Sequence, residues 1–499
     1  MDYKPDICFV ASEMYPFSKT GGLADVIGIL PLTLHRLGYK VCVITPLYGR
    51  MATSEFSTHL VYEDVNVGYP WPETYADVFK SSFHGLPVYF IDRGEYFDRR
   101  YYYCTHKGDY FDNCERFIFF CRAVMSLMKR MGRPPRIVHS HDWHAALINS
   151  FIYYSKRHDP FWTDTSTVFT IHNLAFQGRF SVRLFWDSGL PYDAWTPDGV
   201  EYFDSFNLLK GGIAHADLVT TVSPSYAKEI LTAEFGCGLE GILQRRSSVL
   251  SGILNGADYS VWNPENDKYL EANYSVDNPQ GKAACKKDLL ENLCLPARLM
   301  DRPLLGFIGR LRSQKGIDLL LEIIEKLVLK DVGIIILGEG DAEHEAELLN
   351  LVERHPGHVS GVVGYTEEMA HKIQAGADIF LMPSRYEPCG LTQMYSLRYG
   401  TPPVATGVGG LKDTIVPYPD GKSTGFIFND FTSEGLLRAI DEALEVFKDQ
   451  KAWKKLQLRG MQEDFSWKRS AEIYVQAYKR LGHAKKDELD KSLTKSHVI

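Results

Sequence analysis

A chain of 499 residues is too long for one hydrophobic core to organise, so at least two large domains are expected. Apolar residues make up 45% and charged residues 24%, and the net charge of −8 rules against general affinity for nucleic acid or anionic membranes; an anionic ligand would need a local basic cluster. Nine cysteines with no Cys-x-x-Cys pair do not make a disulfide framework and fit a reducing cytoplasm.

The chain opens on a short apolar strand, Ile7 to Ala11, preceded by Asp2, Lys4 and Asp6, which does not read as a secretory signal. A glycine-rich turn, a helix from about Leu23 to Leu37, the stop signal Gly38 and a second apolar strand from Lys40 to Thr45 complete a βαβ unit, the signature of a parallel sheet. Further strands are predicted at Arg136–Ser140, Thr167–Ile171 and Leu218–Val222. A polar stretch from Tyr259 to Asn278, rich in Asn, Asp and Pro, reads as a linker. The plan then restarts with a strand from Pro303 to Gly309 and a helix from Ile317 to Leu329. Strands follow at Val332–Leu337, His358–Val363, Ile379–Met382 and Pro403–Ala405. The longest apolar stretch, Leu319 to Leu337, is broken by Glu322, Glu325, Lys326, Lys330 and Asp331, so it predicts an amphipathic helix followed by a buried strand and not a membrane span. From about Lys485 the chain becomes mixed in charge and is expected to fray.

Ligands of open α/β sheets bind outside the carboxyl ends of the strands. Five motifs lie at such ends. Lys19-Thr20-Gly21-Gly22 precedes the first helix; it offers a helix N-terminus, open backbone and a cation to an anion, or is simply a tight turn. His139-Ser140-His141-Asp142-Trp143-His144 has the spacing of a zinc-binding run, but Trp143 stands where the metal version needs its aspartate; the same loop suits a sugar. Thr170-Ile171-His172-Asn173 closes another strand. In Gly309-Arg310-Leu311-Arg312-Ser313-Gln314-Lys315-Gly316, two cations beside a helix start suit a diphosphate. In Ser384-Arg385-Tyr386-Glu387-Pro388-Cys389-Gly390-Leu391-Thr392, Glu387 can accept from sugar hydroxyls or merely neutralise Arg385, while the amides of Gly390 to Thr392 face a phosphate. Neither lobe's first turn reads Gly-x-Gly-x-x-Gly, which weakens a dehydrogenase reading.

Taken in order, SEMYPFSKTGGLADV, HSHDWHAAL, TIHNLAFQG, TVSPSYAKEI, GLEGIL, ILNGAD, GRLRSQKG and MPSRYEPCGLTQMYSLRYGTPPVA resemble the glycogen/starch synthase family of nucleotide-sugar transferases, from about Asp6 to Gly482. The resemblance implies an α/β glycosyltransferase-B fold, with two Rossmann-like parallel-sheet domains facing across a deep cleft. It implies an acceptor-side domain over residues 1–255, a donor-side domain over 256–469, a helix over 470–483 returning to the first domain, and a disordered tail over 484–499. The implied reaction moves glucose from ADP-glucose to the non-reducing end of an α-1,4-glucan with retention of configuration. UDP-glucose is the alternative donor, and a zinc hydrolase built on His139, His141 and His144 is the rival chemistry. Where the wider superfamily often has a second glutamate, eight residues after Glu387, this chain has Tyr395. It also departs from common relatives in the aromatic run from Arg93 to Tyr103, whose acceptor contacts are not carried over.

By that resemblance His172, Asp142, Arg310, Lys315 and Glu387 are the catalytic set. Lys19, Gly22, Asn255, Tyr365, Cys389, Gly390, Leu391 and Thr392 are expected on the donor, and Glu13, Trp143, His144, Asn173 and Gln177 on the acceptor. No cofactor or metal is expected. Single-lobe transferases hold a divalent cation with Asp-x-Asp, a pattern that occurs nowhere in this sequence, and the Arg310–Lys315 pair can replace the ion. The expected partners are the nucleotide-glucose and glycogen, with no nucleic acid and no membrane, in the cytoplasm.

Overall fold

The computed structural model describes residues 4–49, 57–68, 73–105 and 108–482. They form two compact units. The first takes in Met1–Val222, Ala227–Ile253 and the segment from Ser470; the second takes in Ser223–Tyr226 and Leu254–Arg469. The tail expected over 484–499 lies outside the described residues.

The first unit is built on a nine-stranded sheet. Its spatial order is Leu250–Gly252, Leu218–Thr221, Ser166–Ile171, Ile137–His141, Ile7–Val10, Val41–Pro46, Leu86–Asp92, Tyr75–Phe83 and His59–Asn66. Neighbours from Leu250–Gly252 through Leu86–Asp92 are parallel, with Ile7 opposite both Val41 and Ile137. All four residues of Ile7–Val10 are buried, as a strand covered on both faces requires. The last two strands pair antiparallel and depart from the all-parallel expectation. They escape a search for continuous apolar runs because they lie at the sheet edge: the outermost, His59–Asn66, buries only Val65.

The second unit carries a six-stranded, wholly parallel sheet in the order Val359–Val363, Gly333–Gly338, Leu304–Ile308, Ile379–Met382, Pro403–Thr406 and Phe426–Phe428. The helix Ile317–Val328 lays Leu320, Ile323, Ile324 and Leu327 onto it; all four are fully buried among Leu305, Phe307, Ile334 and Ile336. Each such side chain contributes roughly 1.5–3 kcal/mol. The apolar stretch ending at Leu337 is thus a helix and a buried strand, and among the described residues no helix is long and apolar enough to cross a membrane.

The polar stretch from Tyr259 to Asn278 is not a loose linker. Trp262 stacks between His371 (3.7 Å) and Tyr395 (4.3 Å), and Asp267 accepts from the Tyr399 hydroxyl at 2.5 Å and lies 2.7 Å from His371 Nδ1. Its Asp and Asn side chains cap local turns, as Asp267 does for Tyr269, while its aromatics supply the burial.

Candidate active site

In the first unit, the Ile137–His141 strand ends where the helix Asp142–Ser155 begins. Asp142 sits at that corner with φ of +54° and accepts the backbone N–H of His172 at 2.8 Å. Burial pushes its carboxyl up to about 7, against the N–H groups of His172 and Asn173, which favour the ionised form; the charge of Glu13 pushes upward too. His172 leaves the end of the neighbouring strand Ser166–Ile171. Its Nε2 lies 2.9 Å from His141 Nδ1, and burial lowers its pKa to about 3, so the ring is neutral at physiological pH.

Glu13 is buried and both of its oxygens accept hydrogen bonds. Oε1 accepts the hydroxyls of Thr20 (2.7 Å) and Tyr103 (2.6 Å), and Oε2 accepts the backbone N–H of Thr20. It thereby fixes the loop that holds Lys19 and Gly22. Among the described residues nothing lies within 4 Å of where a Cβ would stand on Gly21 or Gly22, and the helix Gly22–Arg36 has no side-chain cap, so the N-cap residue leaves its first amides unsatisfied. Lys19 is half-exposed and pairs with Asp25 at 2.6 Å.

Trp143 and His144, expected on the acceptor, are both buried among aromatic rings. Trp143 lies against Phe117 and Phe180, and Gly178, at φ of +60°, approaches its ring so closely that a Cβ there would come within 2.5 Å. His144 lies 4.3 Å from the Tyr103 ring and 3.9 Å from that of Trp143. Gln177 is buried, donating to the Cys237 carbonyl and accepting from Asn207. Asn173 caps the turn at Ala175 and remains partly exposed.

Two histidines of the zinc-like run are engaged with other side chains. His139 uses both ring nitrogens, at 2.7 Å from the Tyr478 hydroxyl and 2.6 Å from Thr170 Oγ1, and His141 Nδ1 is taken by His172. Among the described residues no group of three or more His, Cys, Asp or Glu is placed to hold a metal ion.

In the second unit, the loop after Leu304–Ile308 is fastened to the loop after Ile379–Met382. Gln314 donates to the Tyr386 carbonyl at 2.7 Å and its own carbonyl accepts from Arg385 N–H. Lys315 Nζ meets Glu387 Oε2 at 2.5 Å, and Ser384 donates to the same oxygen. Arg385 turns away to Asp318 at 2.7 Å, so Glu387 is not its counter-ion. Arg310 is exposed, and among the described residues its guanidinium has no partner. Cys389 is buried, its thiol pushed up to about 12 by burial although it receives the backbone N–H of Asn255. Asn255 Oδ1 is buried without a partner among the described residues. Gly390, Leu391 and Thr392 stay partly exposed at the start of the helix Thr392–Arg398, and Tyr365 lies exposed after Val359–Val363.

A starch synthase catalytic domain family model matches residues 6–245, and a glycosyl transferases group 1 model matches residues 296–457. Glycogen synthase 2 of Geobacter sulfurreducens is 43% identical over 476 residues, covering 95% of this chain and 98% of its own. Glycogen synthase of Geotalea uraniireducens is 44% identical over 483 residues, covering 96% and 99%. The chain belongs to the glycogen synthase family. Like other glycogen synthases it is a glycosyltransferase enzyme. The catalytic domain of starch synthase IV from Arabidopsis thaliana, solved bound to ADP and acarbose, superposes with a TM-score of 0.88 at 32% identity over 96% of this chain and 99% of that one. Sucrose-phosphate synthase of Thermosynechococcus elongatus shares the fold alone, with a TM-score of 0.58 at 18% identity. The two parallel-sheet units are those of a glycosyltransferase-B fold.

Sequence reading did not find Tyr103 or His141 as neighbours of the site residues. Tyr103 lies 90 positions from Glu13 in an unfamiliar aromatic run, and no local signal ties the two. Arg116 holds that run in place, donating to the carbonyls of Tyr96 and Tyr102 from the buried face of its helix.

Proposed function

We propose that the protein transfers glucose from ADP-glucose to the non-reducing end of an α-1,4-glucan with retention of configuration. The observation that carries this reading is the second unit's loop pair: Lys315 is bound to Glu387, and in the same loop as Lys315 stands Arg310, exposed and without a partner among the described residues. As the anomeric carbon–oxygen bond breaks, positive charge grows on glucose and negative charge on the departing diphosphate. Arg310, Lys315 and the amides of Gly390 to Thr392 stabilise the diphosphate, and pre-aligned donors of this kind are worth roughly 3–4 kcal/mol each. Glu387 holds donor hydroxyls, with Asn255 and Tyr365 on the nucleotide and Lys19 and Gly22 on the distal phosphate.

The acceptor 4-hydroxyl attacks on the face that the nucleotide leaves, and the departing phosphate takes its proton. His172, being neutral, supports the oxocarbenium-like glucose as a dipole through its main chain and ring, held there by Asp142. Glu13, Asn173 and Gln177 serve the acceptor side, with Trp143 and His144 shaping it from behind. The two cations take the role that other transferases give to a metal ion.

The bound ADP of the starch synthase IV domain supports adenine over uracil as the donor base. Incorporation of labelled glucose into glycogen from ADP-glucose and UDP-glucose, with and without exhaustive EDTA, tests the reading. Faster transfer from ADP-glucose, unaffected by EDTA, is expected. Preference for UDP-glucose, or a loss restored by a divalent cation, would overturn the donor or the metal-free assignment respectively.

A further inference from the structure

Gln393 is fully buried in the second unit and takes no part in the proposed reaction, yet its side chain is committed to the loop that carries Glu387. Its Nε2 donates to the Cys389 carbonyl at 2.9 Å and to the Gly390 carbonyl at 3.1 Å, and lies 3.2 Å from Thr414 Oγ1. An amide nitrogen carries two protons, and the two shorter contacts take them. The reverse amide orientation would set Oε1 against two carbonyl oxygens, so the nitrogen faces them. Oε1 itself is buried without a partner among the described residues, and a Cβ on Gly390 would stand 2.4 Å from it. An apolar side chain of the same length would fill this place without burying an unpaired oxygen, so packing alone does not account for the amide.

In a trans peptide the C=O and the N–H of one plane point in opposite directions. Holding the Cys389 and Gly390 carbonyls from the buried side therefore turns the N–H groups of Gly390 and Leu391 the other way, where both residues are partly exposed. Among the described residues neither N–H donates to a backbone acceptor. The backbone changes hand at this turn: Gly390 has φ of +69°, and Leu391 has φ of −117° with ψ of −33°. A left-handed residue followed by a right-handed one brings successive N–H groups onto one concave face, an arrangement suited to anions.

We propose that Gln393 is a positioning residue for the leaving diphosphate: by holding two successive carbonyls inward, it keeps the N–H groups of Gly390 and Leu391 aimed at phosphate. The role rests on the proposed function for the identity of that anion. The same amide is tied toward Glu387, because Thr414 donates to the Gly410 carbonyl at 2.7 Å and Gly410 N–H donates to the Glu387 carbonyl at 3.0 Å. Donors fixed before the bond breaks need no reorganisation as charge grows, whereas a displacement of about 1 Å is enough to lower a rate by roughly 100-fold.

The test compares wild type with Gln393→Met, which keeps the length of the side chain and removes both donors. Calorimetric titration reads ADP binding. Ligand-observed NMR reads adenosine, which has the base and ribose without phosphate. Initial rates read kcat and the KM for glycogen, and urea denaturation reads folding. The variant is expected to bind ADP roughly tenfold more weakly and to lose roughly tenfold or more in kcat, the scale of misplacing pre-aligned donors. Its adenosine affinity and its KM for glycogen should stay at wild-type values. If Gln393→Met does not fold, Gln393→Asn, one methylene short of the two carbonyls, carries the same expectation. Wild-type ADP affinity and kcat in a folded variant overturn the proposal. Equal losses for ADP and adenosine overturn it too, since they make the glutamine a general support of the unit. If wild type transfers glucose from neither ADP-glucose nor UDP-glucose but binds ADP more tightly than adenosine, and Gln393→Met abolishes that difference, the proposed function fails and the positioning role stands.

Discussion

Arg310 and Lys315 lie five positions apart in one loop, but the structure gives them different company. Lys315 is already neutralised by Glu387, whereas Arg310 has no partner among the described residues. Both should act on charge that grows as the glycosidic bond breaks, so their effect belongs to turnover. Alanine at either position is expected to lower kcat by roughly 100-fold or more, with the double variant less than multiplicative because both meet one charge. Arg310→Lys should also be impaired, since a point charge does not copy a planar fork. Near-normal kcat in both single variants would place the clamp elsewhere. Asp142 makes a different prediction. In the unfolded chain its carboxyl ionises near 4; in the native state it does so at about 7. Between those values the native state binds more protons, so this group lowers stability as pH rises from about 4 to about 7, and its effect is level above. Over the same upper range its ionised form tightens on the N–H of His172, so kcat should climb through a step near pH 7. In Asp142→Asn both features should vanish from kcat–pH profiles and from urea midpoints taken relative to wild type.

Most buried parallel strands were legible because they read as continuous apolar runs, although Leu86–Asp92 was not among them, and the helices Gly22–Arg36 and Ile317–Val328 are each preceded by a glycine. Ile317–Val328 and Gly333–Gly338 fall within a residue or so of expectation. The antiparallel edge strands and the packed 259–278 segment were not legible, since edge burial and aromatic stacking depend on partners distant in sequence. The site divides the same way: Lys315 and Glu387 sit in motifs, but their contact spans 72 positions. Gly316 is the element that makes that contact possible. It adopts φ of +70° between Lys315 and the following helix, and a Cβ there would lie 1.8 Å from the Pro383 carbonyl oxygen. Left-handed backbone alone costs a non-glycine residue roughly 1–2 kcal/mol, and the clash adds to it. Gly316→Ala should therefore lower the melting temperature and also depress kcat, because the loop must lift away from Ser384 and Glu387. A variant with wild-type stability and activity would mean that the two loops are not coupled through this glycine.

At the scale of the whole chain, the last described helix bears on the first unit's interior. Trp467–Leu481 begins in the segment assigned to the second unit, but from Ser470 onward it belongs to the first. Tyr474 and Tyr478 are buried there, and the Tyr478 hydroxyl lies 2.7 Å from Nδ1 of His139, a residue 339 positions earlier on a central strand. Burial holds the His139 pKa well below its ordinary value, with the charge of His172 acting in the same direction, so the ring is neutral; Thr170 takes its other nitrogen. The C-terminal helix thus completes the hydrogen bonding of the histidine whose ring lies 4.2 Å from that of His141, which in turn touches His172. Tyr478→Phe leaves a buried ring nitrogen without its partner, a loss of about 1–3 kcal/mol. His139→Phe removes the other side of the same bond, so the double variant should lose less than the sum of the two singles. Urea denaturation of the four proteins measures that coupling. Strict additivity would show that the tyrosine and the histidine stabilise the unit independently, and that the helix is held by its apolar face alone.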